Sequence, residues 1–126
     1  MEDGNNPIQL GCKGKLFDSG GSSGDYGSNE RGIITIAPSN STSIELDFIS
    51  FDVEEGSGTI CDYDYLEIYD SEDASANLIG QYCGTNNPGT ILASNPAGAL
   101  TFVFHSDGGV VESGWEATIS CESTGL

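Results

Sequence analysis

Three acidic residues lie at the ends of apolar runs, where their side chains could act as metal ligands. Glu54 closes one run, Asp64 opens the next, and Asp107 follows a third run that carries Phe104. Calcium takes about 6–8 oxygen ligands and accepts carbonyls and waters, so two or three carboxylates from separate loops are enough. If the three strand ends meet at one edge, the carboxylates converge, and the Gly-Gly turn after Asp107 lets Val110 direct its backbone carbonyl toward them. We therefore predict a Ca²⁺ site there.

The acids around Asp64 do not form a calcium loop of the EF-hand type. Asp62 and Asp64 have the spacing of its first two ligands, but Leu66 stands where a third oxygen ligand belongs and Glu67 where glycine is needed. Any metal site must therefore be assembled from distant parts of the chain. The competing interpretation is a solvated face, since eight acidic residues crowd between positions 54 and 73, and we expect most of them to serve solubility.

A hydrolytic centre is not predicted. His105 is the single histidine, and it alternates with Phe104, so we expect it on the outer face or rim. Ser106 and Asp107 adjoin it in sequence, but adjacent residues of a strand point to opposite faces and form no triad. A pair of carboxylates serves glycosidases, but so small a chain offers little concave surface for distorting a sugar. We expect no enzymatic activity.

The charge balance narrows the range of partners. The 126 residues carry 20 acidic and 3 basic side chains, for a formal net charge of −17, and all three basic residues lie within the first 31 positions. Nucleic acids and anionic lipids are excluded as ligands, because both are bound through Lys and Arg. With no apolar run near the ~20 residues of a bilayer span, membrane insertion is excluded too. Cations, basic proteins and neutral sugars remain.

The apolar residues alternate with polar ones almost throughout, which predicts short antiparallel strands. Gly, Pro and Asn clusters separate the runs, and no window keeps a helical period. One domain of two packed antiparallel sheets, a β-sandwich, is therefore expected over residues 12–122, after a mobile N-terminal tail at 1–11. The apolar phase slips by one residue between Phe48 and Phe51, which predicts a bulge. Trp115 is expected in the core.

The four cysteines predict two disulfides rather than a zinc site, because the chain has one histidine and no Cys-x-x-Cys motif. Three pairings are possible, and the positions favour Cys61 with Cys83 and Cys12 with Cys121. Disulfides place the protein in an oxidising compartment, so we expect it to be extracellular or at a cell surface.

Motifs spread along nearly the whole chain resemble those of the CUB domain family. From about Cys12 to Cys121 they appear in the family's order. They are Phe48-x-x-Phe51-x-Val-Glu54, Cys61-x-Tyr63-Asp64-x-Leu66-x-Ile68-Tyr69-Asp70, Gly80-x-Tyr82-Cys83-Gly84, Leu100-x-Phe-x-Phe104-x-Ser106-Asp107 and Gly114-Trp115-x-Ala117. The resemblance implies an all-β sandwich of jelly-roll type, and Cys61–Cys83 matches the family's second disulfide.

The resemblance also implies a site. In the calcium-binding subset of the family, acids at the places of Glu54, Asp64 and Asp107 hold Ca²⁺. A tyrosine in the N-terminal loop supports them by hydrogen bonding, and Tyr26, which ends a Gly/Ser loop, looks like its counterpart. A carbonyl around Val110 is the expected further ligand. In those members, a Lys or Arg of a partner protein binds to the metal-ligating carboxylates.

The chain departs from the animal pattern at the first family disulfide. The second cysteine of that bridge and the tryptophan beside it have no counterpart near residues 30–36. With Cys12–Cys121 in its place, the chain looks closer to CUB modules of secreted bacterial proteins.

Two functions remain open at this point. We favour a non-catalytic, Ca²⁺-dependent binding or adhesion module that recognises a protein through its Lys or Arg, within a larger secreted or surface protein. The alternative is a carbohydrate-binding module that attaches a secreted hydrolase to an extracellular polysaccharide. Tyr63, Tyr65 and Tyr69 share one face of a predicted strand and would stack on sugar rings. Asn40 begins a glycosylation sequon, which is an ordinary turn if the source does not glycosylate.

Overall fold

A computed structural model describes residues 8–10, 14–18, 24–38, 42–57, 60–75 and 77–123 of the chain. These residues form nine strands. The strands are β1 (Ile8–Leu10), β2 (Gly14–Phe17), β3 (Arg31–Ala37), β4 (Thr42–Asp52), β5 (Tyr65–Tyr69), β6 (Leu78–Tyr82), β7 (Thr90–Leu92), β8 (Leu100–His105) and β9 (Gly114–Ser123). Among the described residues there is no helix long and apolar enough to cross a membrane.

The strands form two sheets, which confirms the predicted sandwich. One sheet has the order β1-β3-β8-β5-β6 and the other β2-β9-β4-β7. The assigned neighbours pair antiparallel, except that β1 pairs in parallel with β3. The expected tail at 1–11 thus includes three residues, Ile8–Leu10, that belong to a sheet. Residues 1–7 and 11–13 lie outside the described part of the chain.

The inward side chains of both sheets form one apolar core. Trp115 is 2% exposed and belongs to this core, as predicted. Its ring meets that of Phe104 edge to face at a centroid distance of 5.0 Å and stacks on that of Phe51 at 6.2 Å. Burying such rings from two facing sheets holds the sheets together, at roughly 25 cal/mol for each Å² of apolar surface removed from water.

The predicted bulge is present in β4. Phe48 pairs with Ala117 and Ser50 with Glu116, so Ile49 is the extra residue in the register, and its side chain is 58% exposed. The insertion restores the inward phase of the strand at Phe51. The chain therefore leaves β4 with Glu54 at the edge where β5 begins and β8 ends.

The Cys61–Cys83 disulfide is present, with a Cα–Cα distance of 5.7 Å. It joins the segment before β5 to the residue after β6, and so restrains the chain just before Asp64. The Cys12–Cys121 bridge stays a prediction, because Cys12 lies outside the described residues. Asn40, the acceptor residue of the sequon, lies outside them as well.

Candidate functional site

Glu54, Asp64 and Asp107 converge at one edge of the sandwich. Each offers a carboxylate oxygen, and these oxygens all lie within 4.8 Å of one another. Two oxygens bound to one Ca²⁺ at about 2.3–2.6 Å lie at most about 5 Å apart. The three groups are thus already spaced as ligands of a single ion. They come from three separate strand ends, since Glu54 follows β4, Asp64 precedes β5 and Asp107 follows β8.

Asp64 is the buried centre of the group, with 0% of its surface exposed. Its Oδ2 accepts a hydrogen bond from the Tyr26 hydroxyl at 2.7 Å, and its Oδ1 accepts one from the Asp107 backbone N–H at 2.8 Å. Burial raises the pKa of Asp64, and these two hydrogen bonds oppose the rise. Both oxygens are oriented by their donors, and each retains a lone pair for a metal.

Tyr26 forms hydrogen bonds with two of the acidic residues from the core side of the site. Its hydroxyl donates to Asp64 and accepts the Glu54 backbone N–H at 3.0 Å. The ring is 1% exposed and meets Phe104 edge to face at 4.8 Å. Burial, and then the hydrogen bond to Asp64, raise the pKa of Tyr26 far above its ordinary value, so the hydroxyl stays protonated and keeps donating. The structure thus brings Tyr26 to the acids, but to their inner side.

Glu54 carries the unsatisfied atom of the site. Its Oε1 is buried and accepts no hydrogen bond from any described residue. Burial, and then the negative charges of Asp107 and Asp64, raise the pKa of Glu54. Buried polar atoms in native proteins are nearly always satisfied by a partner, water or an ion. The ionised arrangement therefore costs free energy unless a water, a proton or a cation satisfies this oxygen.

Asp107 begins a glycine turn at the edge of the site. Its Oδ1 accepts the Gly109 N–H at 2.9 Å, and its carbonyl accepts the Asn29 N–H at 2.8 Å. Asn29 has φ of 56°, a conformation that Asn tolerates better than most residues. Val110 follows on this turn with its side chain exposed, and its role as a carbonyl ligand stays a prediction.

Ser106 is a residue of the site that was not predicted from the sequence. Its side chain is 1% exposed. The hydroxyl donates to the Gly27 carbonyl at 2.7 Å and accepts the Glu30 N–H at 2.9 Å. Ser106 thus fixes the segment after Tyr26 against the end of β8. Its inward parity beside a candidate ligand was the available signal, since a polar residue at a core position needs partners.

The three tyrosines of the carbohydrate alternative are not equivalent. Tyr63 is 42% exposed, but the Tyr65 ring stacks on His105 at 5.0 Å and 26°. Tyr69 donates its hydroxyl to Glu67 Oε1 at 2.9 Å. Two of the three rings are therefore half-buried and engaged within the protein. His105, at the end of β8, is half-buried, and its expected place on the outer face or rim stays a prediction.

Comparisons with known proteins match this architecture. The family model described as "CUB domain" matches residues 12–119. Neuropilin-1 of Gallus gallus is 38% identical over 97 residues, covering 74% of this chain and 10% of its own length. Cubilin of Homo sapiens is 36% identical over 92 residues, covering 73% of this chain and 2% of its own length. The chain therefore spans a tenth or less of these relatives. They are animal proteins, so the narrower likeness to bacterial modules is not confirmed.

Solved structures share the fold. The CUB2 domain of MASP-1 bound to Ca²⁺ superposes with a TM-score of 0.74 at 24% identity, covering 94% of this chain and 98% of that domain. The CUB1-EGF-CUB2 domain of human MASP-1/3 gives a TM-score of 0.76 at 22% identity, covering 95% of this chain and 42% of that one. The two-sheet jelly-roll predicted from the sequence is thereby confirmed.

Proposed function

Because the chain belongs to the CUB domain family, we propose that it is a non-catalytic, calcium-dependent module that binds a partner protein outside the cell. The observation that carries the proposal is the convergence of Glu54, Asp64 and Asp107, with oxygens within 4.8 Å of one another. Three carboxylates from distant parts of an acidic chain repel one another, and a cation among them would offset that repulsion. Ca²⁺ fits, because the donors are all oxygens.

The donor set supports calcium on two further grounds. The buried Oε1 of Glu54 has no hydrogen-bond partner in the described residues. Coordination to a metal ion would satisfy this oxygen instead. The MASP-1 CUB2 domain, which shares the fold, was solved bound to Ca²⁺. Glu54, Asp64 and Asp107 are the proposed ligands, with the Val110 carbonyl as a fourth and waters completing the shell.

We propose that the site binds a Lys or Arg side chain of the partner protein. Three carboxylates with one Ca²⁺ leave one negative charge uncompensated, and Tyr26 stays neutral because its pKa is raised. Glu54 and Asp107 are only half-buried, so their outer lone pairs are open to an ammonium or guanidinium group. The bound ion supplies the positive charge that holds the acids together, and the acids bind the partner's cation.

Secretion and membership of a larger protein belong to the same proposal. The Cys61–Cys83 disulfide supports an oxidising environment. The relatives named above are far longer than this chain, which supports a module within a multidomain secreted or cell-surface protein.

The experiment compares two ligand classes with and without calcium. We expect immobilised Lys-rich peptides to retain the chain in 1 mM Ca²⁺ and to release it in chelator. Asp107→Asn should abolish retention, and Glu72→Gln, which changes an exposed acid away from the site, should preserve it. Retention that is unchanged by chelator contradicts the proposal. Binding to a glycan array, with none to the peptides, replaces it with the carbohydrate-binding alternative.

A further inference from the structure

One of the proposed calcium ligands belongs to an Asp-Gly pair, a dipeptide with a chemistry of its own. Asp107 is followed by Gly108, and the sequence contains one other such pair, Asp3-Gly4, which lies outside the described residues. In an Asp-Gly pair the backbone nitrogen of the glycine can attack the side-chain carboxyl carbon of the aspartate, because glycine has no Cβ to obstruct the approach. The five-membered ring that forms is then opened by water to aspartate or to isoaspartate.

The structure leaves the attacking nitrogen of this reaction accessible. Gly108 and Gly109 are exposed, and the Gly108 N–H donates a hydrogen bond to no described residue. The backbone N–H groups on its two sides are both engaged. Asp107 donates to Asp64 Oδ1 at 2.8 Å, and Gly109 donates to Asp107 Oδ1 at 2.9 Å. No hydrogen bond within the described chain therefore has to break before the Gly108 nitrogen reacts.

The Asp107 side chain folds back over the Gly108 peptide. Its Oδ1 accepts the N–H of Gly109, which is the closed turn that Asp side chains form with the backbone two residues on. The main-chain carbonyl of Asp107 accepts the Asn29 N–H at 2.8 Å, which fixes the other end of the same residue. The carboxyl carbon and the attacking nitrogen thus belong to one short turn.

The reaction balances within the chain and needs only water. The Gly108 nitrogen bonds to Cγ of Asp107, and the carboxyl hydroxyl leaves with the amide proton as water. When a second water cleaves the original peptide bond, the main chain runs through Cγ and gains one methylene, and the former backbone carbonyl becomes the free carboxylate. That carboxylate no longer occupies the position from which Asp107 meets Glu54 and Asp64 within 4.8 Å.

We propose that Asp107 and Gly108 form a site of spontaneous isoaspartate formation that bound calcium suppresses. This inference rests on the proposed function and deepens it, because a chain kept without calcium then loses its metal site permanently with time. A Ca²⁺ ion bonded to the Asp107 carboxylate holds it toward Glu54 and Asp64, so that Cγ does not turn onto the Gly108 nitrogen. The metal-free chain alone reacts, and the rate follows its population.

The test follows the modification in the full chain, incubated at pH 7 for several weeks in chelator and at a series of calcium concentrations. Peptide mapping by mass spectrometry measures isoaspartate separately at Asp107 and at Asp3, which serves as the internal control. We expect isoaspartate at both positions in chelator. Calcium should slow its formation at Asp107 by the factor 1 + [Ca²⁺]/Kd, which is about twofold when free calcium equals the Kd from calorimetry. The rate at Asp3 should not change.

A variant and the incubated chain complete the test. A Cβ at Gly108 would come no closer than 3.4 Å to its nearest neighbour, Asn29 Oδ1, so Gly108→Ala fits and should slow the reaction at Asp107 severalfold in chelator. The incubated chain should lose its calorimetric heat with calcium in proportion to the isoaspartate formed at Asp107.

Three results overturn this inference: no isoaspartate at Asp107 in chelator, equal rates there with and without calcium, or the same effect of calcium at Asp3. If the fresh chain still gives heat with calcium, the proposed function stands without it. If the fresh chain gives no heat, the proposed function falls and this inference falls with it.

Discussion

Asp107 donates its backbone N–H to Oδ1 of Asp64 at 2.8 Å, so two of the converging carboxyl residues are joined directly to each other. The Tyr26 hydroxyl also donates a hydrogen bond to Asp64, at its Oδ2. The acidic edge is therefore assembled by the protein's own hydrogen bonds, although its charges oppose one another. A cation that binds there meets preorganised ligands, and five predictions follow from that arrangement and its surroundings.

Removal of the Tyr26 hydroxyl should weaken the fold. Tyr26→Phe keeps the ring against Phe104 but leaves the Glu54 N–H and Asp64 Oδ2 without their shared partner. We expect a loss of about 1–3 kcal/mol in the free energy of unfolding, measured by urea denaturation in chelator. Tyr63→Phe, at an exposed ring, is the matched control and should change little. Equal midpoints for the two variants would contradict the role assigned to Tyr26.

Replacing Glu54 with a neutral residue should stabilise the metal-free chain and abolish its stabilisation by calcium. Burial, and then the charges of Asp107 and Asp64, raise the pKa of Glu54, so its ionised form is less favourable in the metal-free fold than in the unfolded chain. Glu54→Gln should therefore raise the melting temperature in chelator and abolish the further rise that calcium produces in the unmodified chain. Glu55→Gln, at the exposed neighbour, should preserve the calcium-induced rise. A Glu54→Gln chain that calcium still stabilises fully would remove Glu54 from the ligand set.

Calcium affinity should fall as the solution becomes more acidic. Burial, chiefly, raises the pKa values of Glu54 and Asp64, so the folded metal-free chain holds these protons more tightly than the unfolded chain. The stability contribution of each group is thus full below its ordinary pKa and is lost as the pH rises through the raised value. Calcium needs the ionised carboxylates and must displace the protons. We expect weaker binding at pH 5 than at pH 7, with measurable proton release at pH 5. An affinity that is independent of pH over this range would show that the acids titrate normally.

The backbone conformation at the first residue of β9 requires glycine. Gly114 has φ of +80°, and a Cβ there would stand 1.3 Å from Asp18 Oδ2. Gly89 has a similar φ of +78°, but a Cβ there would meet nothing within 4 Å. Gly89→Ala should cost about 1–2 kcal/mol of backbone strain, and Gly114→Ala should cost more because the clash adds to it. Thermal denaturation of the two variants tests this. Equal losses would mean that Asp18 moves aside freely.

Much of this architecture was predictable from local patterns. The alternation gives the strands, the phase slip before Phe51 gives the bulge, and Trp115 has the inward parity. Glu54, Asp64 and Asp107 were predicted as one group because each is an acidic residue at the end of an apolar run. The family resemblance pointed to the same three positions.

The remainder depends on contacts between distant residues that no local pattern encodes. The parallel pairing of Ile8–Leu10 with β3 rests on backbone hydrogen bonds, which leave little trace in side-chain order. Ser106 acquires its role only because the segment after Tyr26 lies against it. The pairing of Arg31 and Tyr65 with His105 depends on the register of three strands, which alternation alone does not fix.

Calorimetric titration of the metal-free chain with Ca²⁺ at pH 7 measures binding at the three acids without any partner. We expect heat that fits one site, its loss in Asp64→Asn, and its retention in Glu72→Gln. No heat in the unmodified chain, or the same loss in both variants, would contradict the claim that Glu54, Asp64 and Asp107 hold one calcium ion.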